Sequence, residues 1–148
     1  ETAYLLTNML QGVIQRGTGR AASSLPWPLA GKTGTTEDSR DALFVGYSPR
    51  LVTAVWVGKD SGRSLGDKET GARAALPIWR EIMQKVLPET TTDDFQVPDN
   101  VTLVRMDARS GLLANGECTE VAEAAFIEGT EPTEHCPDGR DRQLDKFH

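Results

Sequence analysis

The 148 residues carry 22 acidic against 16 basic side chains, a formal net charge of −6, with an isoelectric point near 4.9 and a mean hydropathy of −0.40. An acidic chain without a basic stripe is not built to follow a phosphate backbone, which excludes nucleic acid as the expected partner. No apolar run approaches the ~20 residues of a membrane span and no signal peptide opens the chain, so the composition fits one globular domain, or half of one with an appendage.

The chain begins at Glu1 inside a helical pattern and is expected to open part-way through a domain. Leu6, Met9, Leu10, Val13 and Ile14 recur at helical spacing until Gly17-Thr18-Gly19 ends the run. The result is an amphipathic helix of about four turns, with Gln11, Gln15 and Arg16 among its polar positions. Residues 23–28 form a loop punctuated by Pro26 and Pro28 around Trp27. Leu29-Ala30-Gly31-Lys32-Thr33-Gly34-Thr35-Thr36 then predicts a strand, and its alternation places Thr33 and Thr35 on one face with Lys32 and Thr36 on the other. Gly34 leaves no side chain between the threonines, so a ligand backbone can come close. A hydroxyl-bearing edge beside a cation suits an extended peptide that ends in a carboxylate.

Residues 42–47 and 51–58 are short apolar runs separated by Ser48-Pro49-Arg50, the pattern of an antiparallel hairpin. The second run is almost wholly apolar over 51–57, which predicts a strand covered on both faces. Residues 59–71 are a polar, glycine-rich loop. Trp79, Ile82, Met83, Val86 and Leu87 mark a second helix, with Pro77 in its first turn or at a kink. Past a polar stretch around Glu89-Thr90-Thr91-Thr92-Asp93-Asp94, residues 101–106 and 124–127 predict two short strands, with a turn at Ser110-Gly111. The last twelve residues are mostly charged and are expected to be a loose tail.

Several constellations invite chemistry and fail on geometry. Gly31-Lys32-Thr33 has the ending of a phosphate-binding loop, but that motif needs glycine at position 26, where Pro26 stands, and a helix where Gly34 follows. Cys118, His135 and Cys136 lack a Cys-x-x-Cys pair, and two adjacent residues make an awkward pair of ligands for one tetrahedral metal. Two cysteines permit one disulfide or two thiols and do not fix the compartment. Trp27, Trp56 and Trp79 are expected to anchor core or loops rather than to form a sugar platform.

Lys32-Thr33-Gly34 does not stand alone. Gly17-Thr18-Gly19-Arg20 precedes it; Asp41-Ala42-Leu43-Phe44-Val45-Gly46-Tyr47, Thr53-Ala54-Val55-Trp56-Val57-Gly58 and Gly129-Thr130-Glu131-Pro132-Thr133-Glu134 follow. In order and spacing this layout resembles the C-terminal part of the transpeptidase domain of class A, bifunctional penicillin-binding proteins, over nearly the whole chain. The resemblance implies an α+β fold: the third to fifth strands of an antiparallel sheet with flanking helices, plus a small C-terminal β appendage. Residues 1–88 would close the transpeptidase domain, 89–98 would be a linker and 99–148 the appendage.

The implied activity is that of a peptidoglycan D,D-transpeptidase, which cross-links stem peptides through a serine acyl-enzyme and binds β-lactams. Its partners would be the stem peptide, β-lactam antibiotics and the remainder of the transpeptidase domain; no cofactor and no metal is implied. Thr33 and Thr35 would bind the ligand carboxylate, with Gly34 and Thr36 beside them, and the Thr35 N–H would be an oxyanion-hole donor. Lys32 would supply positive potential and help pass a proton. The family takes its nucleophile and base from Ser-x-x-Lys and a relay group from Ser-x-Asn. None of the serines at 23, 24, 39, 48, 61, 64 and 110 has lysine three residues on or asparagine two on. The nucleophile is therefore expected outside this chain, and the isolated chain is expected to be inactive. The implied location is the periplasmic face of the inner membrane, with an anchor absent from this chain. There, a Cys118–Cys136 disulfide is expected. The alternative is a non-catalytic module that binds or senses β-lactams or muropeptides.

Overall fold

The computed structural model describes residues 1–88, 90 and 92–137, and these fall into two units: residues 6–96, and residues 97 onward together with 1–5. The charged tail expected over the last twelve residues lies outside the described residues, apart from Pro137.

Helix α1 (Thr2–Arg16) stops where its apolar pattern stops. Gly17 and Gly19 both donate their N–H groups to the Val13 carbonyl, at 3.1 and 3.0 Å, satisfying an acceptor the helix end would otherwise strand. Of the apolar stripe only Ile14 is buried, while Met9 is 65% exposed and Leu6 is also open. A short 3₁₀ turn (Arg20–Ser24) leads into the loop of Trp27, which is buried and donates its indole N–H to the Pro88 carbonyl at 3.1 Å.

Three antiparallel strands follow, β1 (Ala30–Thr35), β2 (Asp41–Tyr47) and β3 (Val52–Gly58), side by side in that order. Ser48 shapes the β2–β3 turn by accepting N–H bonds from Arg50 and Leu51 at 3.3 and 3.2 Å. The register sets Phe44 between Thr33 and Val55, and Gly46 between Gly31 and Thr53. One π turn (Gly71–Ala75) runs straight into helix α2 (Leu76–Val86), with Pro77 in its first turn, where a missing N–H leaves no bond unmade. Leu76, Trp79 and Met83 are fully buried along one stripe of α2, whereas Val86, of the same expected apolar set, faces outward. Trp79 meets Phe44 edge-on with ring centroids 5.0 Å apart, and its indole N–H donates to the Thr53 carbonyl at 3.2 Å.

The expectation that β3 is covered on both faces is corrected here. Val55, on the face shared with Phe44, is 8% exposed, but Val52 and Trp56 on the opposite face are 67% and 58% exposed. Trp56 accordingly anchors no core. Helix α2 covers one face of the sheet; Leu43, Val45, Val52 and Trp56 leave the other open among the described residues.

The second unit is a hairpin of β4 (Val101–Asp107) and β5 (Val121–Ile127), paired from Val101 with Ile127 to Asp107 with Val121. Buried Asp107 fixes the connecting loop by accepting from the Ser110 N–H at 3.1 Å and hydroxyl at 2.8 Å. Cys118 and Cys136 are joined by a disulfide across a separation of 18 residues. Val101, Ala125 and Cys136 are the buried apolar residues of this unit among those described. With so small a core, a cross-link worth about 3 kcal/mol by chain entropy is a large part of its stability.

Packing in the first unit depends on glycine where α2 presses closest. A Cβ on Gly46 would lie 2.6 Å from the Trp79 ring and 2.8 Å from the Phe44 ring. Gly46→Ala is expected to destabilise by roughly 1–3 kcal/mol through overpacking. A urea midpoint equal to that of the unsubstituted protein would contradict this packing.

Candidate functional site

Strand β1 has β2 on one side and no strand partner on the other among the described residues. In an antiparallel pair, successive residues turn their main-chain groups alternately toward and away from the partner. Thr36 donates its N–H to the Asp41 carbonyl at 3.1 Å, so Thr36, Gly34 and Lys32 face inward to β2. The N–H and C=O groups of Thr33 and Thr35 therefore point to the open edge. That edge can pair with an extended chain.

The side chains converge on it. Lys32 folds back so that its ammonium donates to the Thr33 carbonyl at 2.8 Å, which places a cation over the edge. The Thr33 hydroxyl is 2.8 Å from that of Thr18, which lies in the glycine-flanked turn after α1. The Thr35 hydroxyl accepts the N–H of Gly71 at 3.1 Å. Thr36 is engaged elsewhere: its hydroxyl accepts the Asp41 N–H at 2.8 Å and donates to Asp41 Oδ2 at 3.2 Å. Asp41 Oδ1 in turn accepts the Trp56 indole N–H at 3.1 Å. A cavity of about 390 Å³ lies beside this cluster, lined by Gly34, Thr35, Thr36, Asp41, Leu43 and Trp56.

Thus Lys32, Thr33, Gly34 and Thr35 occupy one open edge, while Thr36 closes the β1–β2 turn. A Cβ on Gly34 would meet Leu43 Cβ at 3.3 Å, and on the other side of the strand Gly71 packs against the Gly34 backbone. Thr18 belongs to the flanking Gly17-Thr18-Gly19-Arg20 stretch, and Gly71 is the site neighbour that pattern reasoning did not single out. Cys118 and Cys136 belong to the other unit and to structure rather than to this edge. The arrangement can hold an anion and align a main chain. Among the described residues, the hydroxyls of Ser23, Ser24, Ser48, Ser61, Ser64 and Ser110 bond to main-chain groups, arginines or Asp107.

The family model for the penicillin-binding protein transpeptidase domain matches residues 1–84. The chain belongs to that family. The model for the C-terminal domain of penicillin-binding protein 1A matches residues 97–140. Among relatives, penicillin-binding protein 1A of Aquifex aeolicus is 44% identical over 131 residues, 88% of this chain and 18% of the relative. The Pseudomonas aeruginosa protein of the same name is 47% identical over 111 residues, 74% of this chain and 14% of the relative. The crystal structure of penicillin-binding protein 1A from Haemophilus influenzae superposes with a TM-score of 0.78 at 34% identity, covering 93% of this chain and 22% of that one. The chain thus spans about a fifth of the relatives it matches, and corresponds to the C-terminal part of a transpeptidase domain in an α+β fold.

The Asp41 cluster holds the far end of the edge. Asp41→Ala removes acceptors for Trp56 and Thr36 together and is expected to cost about 1 kcal/mol, with a shift in Trp56 emission. An unchanged melting curve with unchanged emission would show that the cluster holds nothing.

Proposed function

We propose that this chain supplies the substrate-holding edge of a serine D,D-transpeptidase that cross-links peptidoglycan stem peptides and is acylated by β-lactams. The observation that carries the reading is the outward alternation of Thr33 and Thr35 beneath the Lys32 ammonium. An extended stem peptide would pair with this edge, its carboxylate taken by the Thr33 and Thr35 hydroxyls within the field of Lys32. The Thr35 N–H would donate to the oxyanion as the carbonyl becomes tetrahedral. Gly34 and Thr36 border the peptide, and Lys32 would help deliver a proton to the leaving amine.

The nucleophilic serine and its lysine would come from the remainder of the transpeptidase domain. Its hydroxyl attacks the carbonyl, the ester bond forms, the C–N bond breaks, and the amine departs with a proton. That remainder would also cover the exposed side of the sheet around Val52 and Trp56 and the open stripe of α1. In this reading 1–88 closes the transpeptidase domain, 89–98 is a linker and 99–148 an appendage, a division supported by family matches at 1–84 and 97–140. The protein works outside the cytoplasm, held at the membrane by a segment elsewhere in the parent; the disulfide fits such a compartment.

In the full-length parent, Thr35→Val is expected to slow acylation by a fluorescent penicillin about ten- to a hundredfold, the loss of one hydrogen bond to a charged carboxylate. Thr36→Val is expected to act on stability through Asp41 and leave acylation within about twofold. Equal slowing by both substitutions would refute the assignment of the edge.

A further inference from the structure

Gly71 lies outside β1, yet its N–H reaches the Thr35 hydroxyl and its Cα sits against the Gly34 backbone. Three observations define what it does there. Its N–H begins the helical stretch that leads into α2, so it is a donor the helix itself cannot satisfy, and the Thr35 hydroxyl accepts it at 3.1 Å. It has no room for a side chain: a Cβ would collide with the carbonyl oxygens of Leu43 and Gly34 and lie 3.1 Å from the Gly34 nitrogen. It is also anchored from behind, because the same helical stretch buries Leu76, Trp79 and Met83 completely.

A threonine hydroxyl has two lone pairs and one proton. Gly71 takes a lone pair of Thr35, and the proton is left to point away from Gly71, free to be donated to a ligand. Thr33 differs, since its partner Thr18 is another hydroxyl that can donate or accept. We infer that Gly71 is a positioning residue that fixes Thr35 as a hydrogen-bond donor, and so makes the edge selective for ligands presenting an anionic acceptor at this point. The inference deepens the proposed function and rests on it for the identity of the ligand.

Discrimination between a carboxylate and its ester is the readout, because general damage to the fold would slow both. In the full-length parent, acylation rates are measured with benzylpenicillin and with its methyl ester. Gly71→Ala, whose Cβ forces the N–H away from Thr35, is expected to lower the acid-to-ester rate ratio by about ten- to a hundredfold. Thr35→Ser should keep the ratio, and Gly71→Ala combined with Thr35→Val should lower it no further than Thr35→Val alone. Acid and ester slowed equally by Gly71→Ala would overturn the inference. A second measurement needs neither ligand nor the alanine variant: amide hydrogen exchange at Gly71 should accelerate in Thr35→Val, and unchanged protection would equally overturn it. A parent that neither penicillin nor its ester acylates would refute the transpeptidase reading instead, and the exchange measurement would still decide whether Gly71 and Thr35 are coupled.

Discussion

The constraint on which the rest depends is that, among the described residues, β1 has a strand partner on one side only. Pairing with β2 takes the main-chain groups of Lys32 and Gly34 and the N–H of Thr36, and the same alternation turns those of Thr33 and Thr35 away from β2. An exposed edge is ordinarily a hazard, since any extended chain can add to it. Here it carries two hydroxyls and an ammonium, a set that on the proposed reading suits a peptide with an anionic end.

The edge is only as exact as the register behind it. A slip of one residue would exchange the two faces of β1 and turn Thr33 and Thr35 inward. Bulk beneath the sheet forbids the slip. Trp79 and Phe44 fill the space under β2 so fully that Gly31 and Gly46, neighbours in the register, tolerate no side chain. The same helical stretch that carries Trp79 begins with Gly71, so core packing and the orientation of Thr35 are set by one element. The buried Trp79 ring is thus linked to the Thr35 hydroxyl through backbone rather than through a chain of side chains.

How much of this was legible in the sequence follows from the range of each interaction. Leu6 to Ile14 announced α1 and the paired runs at 42–47 and 51–58 announced the hairpin, because both signals are periodicities within one segment. The Lys32-Thr33-Gly34 strand was legible as a hydroxyl-bearing edge for the same reason. Gly71 was not, since its contact with Thr35 spans 36 residues and one glycine at the end of a polar loop carries no local mark. Trp56 misled because an apolar run gives the need for cover but not its source: hydrophobicity called for two covered faces, and the described residues supply one. Thr36 lies at the strand end, where the bond to Asp41, five residues on, captures a hydroxyl that alternation alone leaves open.

On the proposed reading, the open side of the sheet with Val52 and Trp56, the exposed stripe of α1 and the serine that the substrate edge would serve all point to one partner, the remainder of the transpeptidase domain. Several hundred Å² of apolar surface at about 25 cal/mol per Å² amounts to several kcal/mol, the scale of a domain's whole stability. Fragment complementation tests this account most directly. The 148-residue chain and the remainder of its transpeptidase domain are produced separately, and each is exposed to a fluorescent penicillin alone and then together. Neither part alone should be labelled; the mixture should be, with the label on a serine of the other part and its appearance abolished by a large excess of unlabelled penicillin. Stable covalent label on the isolated chain, or full labelling of the remainder without it, would contradict the claim that this chain holds the substrate for a nucleophile supplied from outside it.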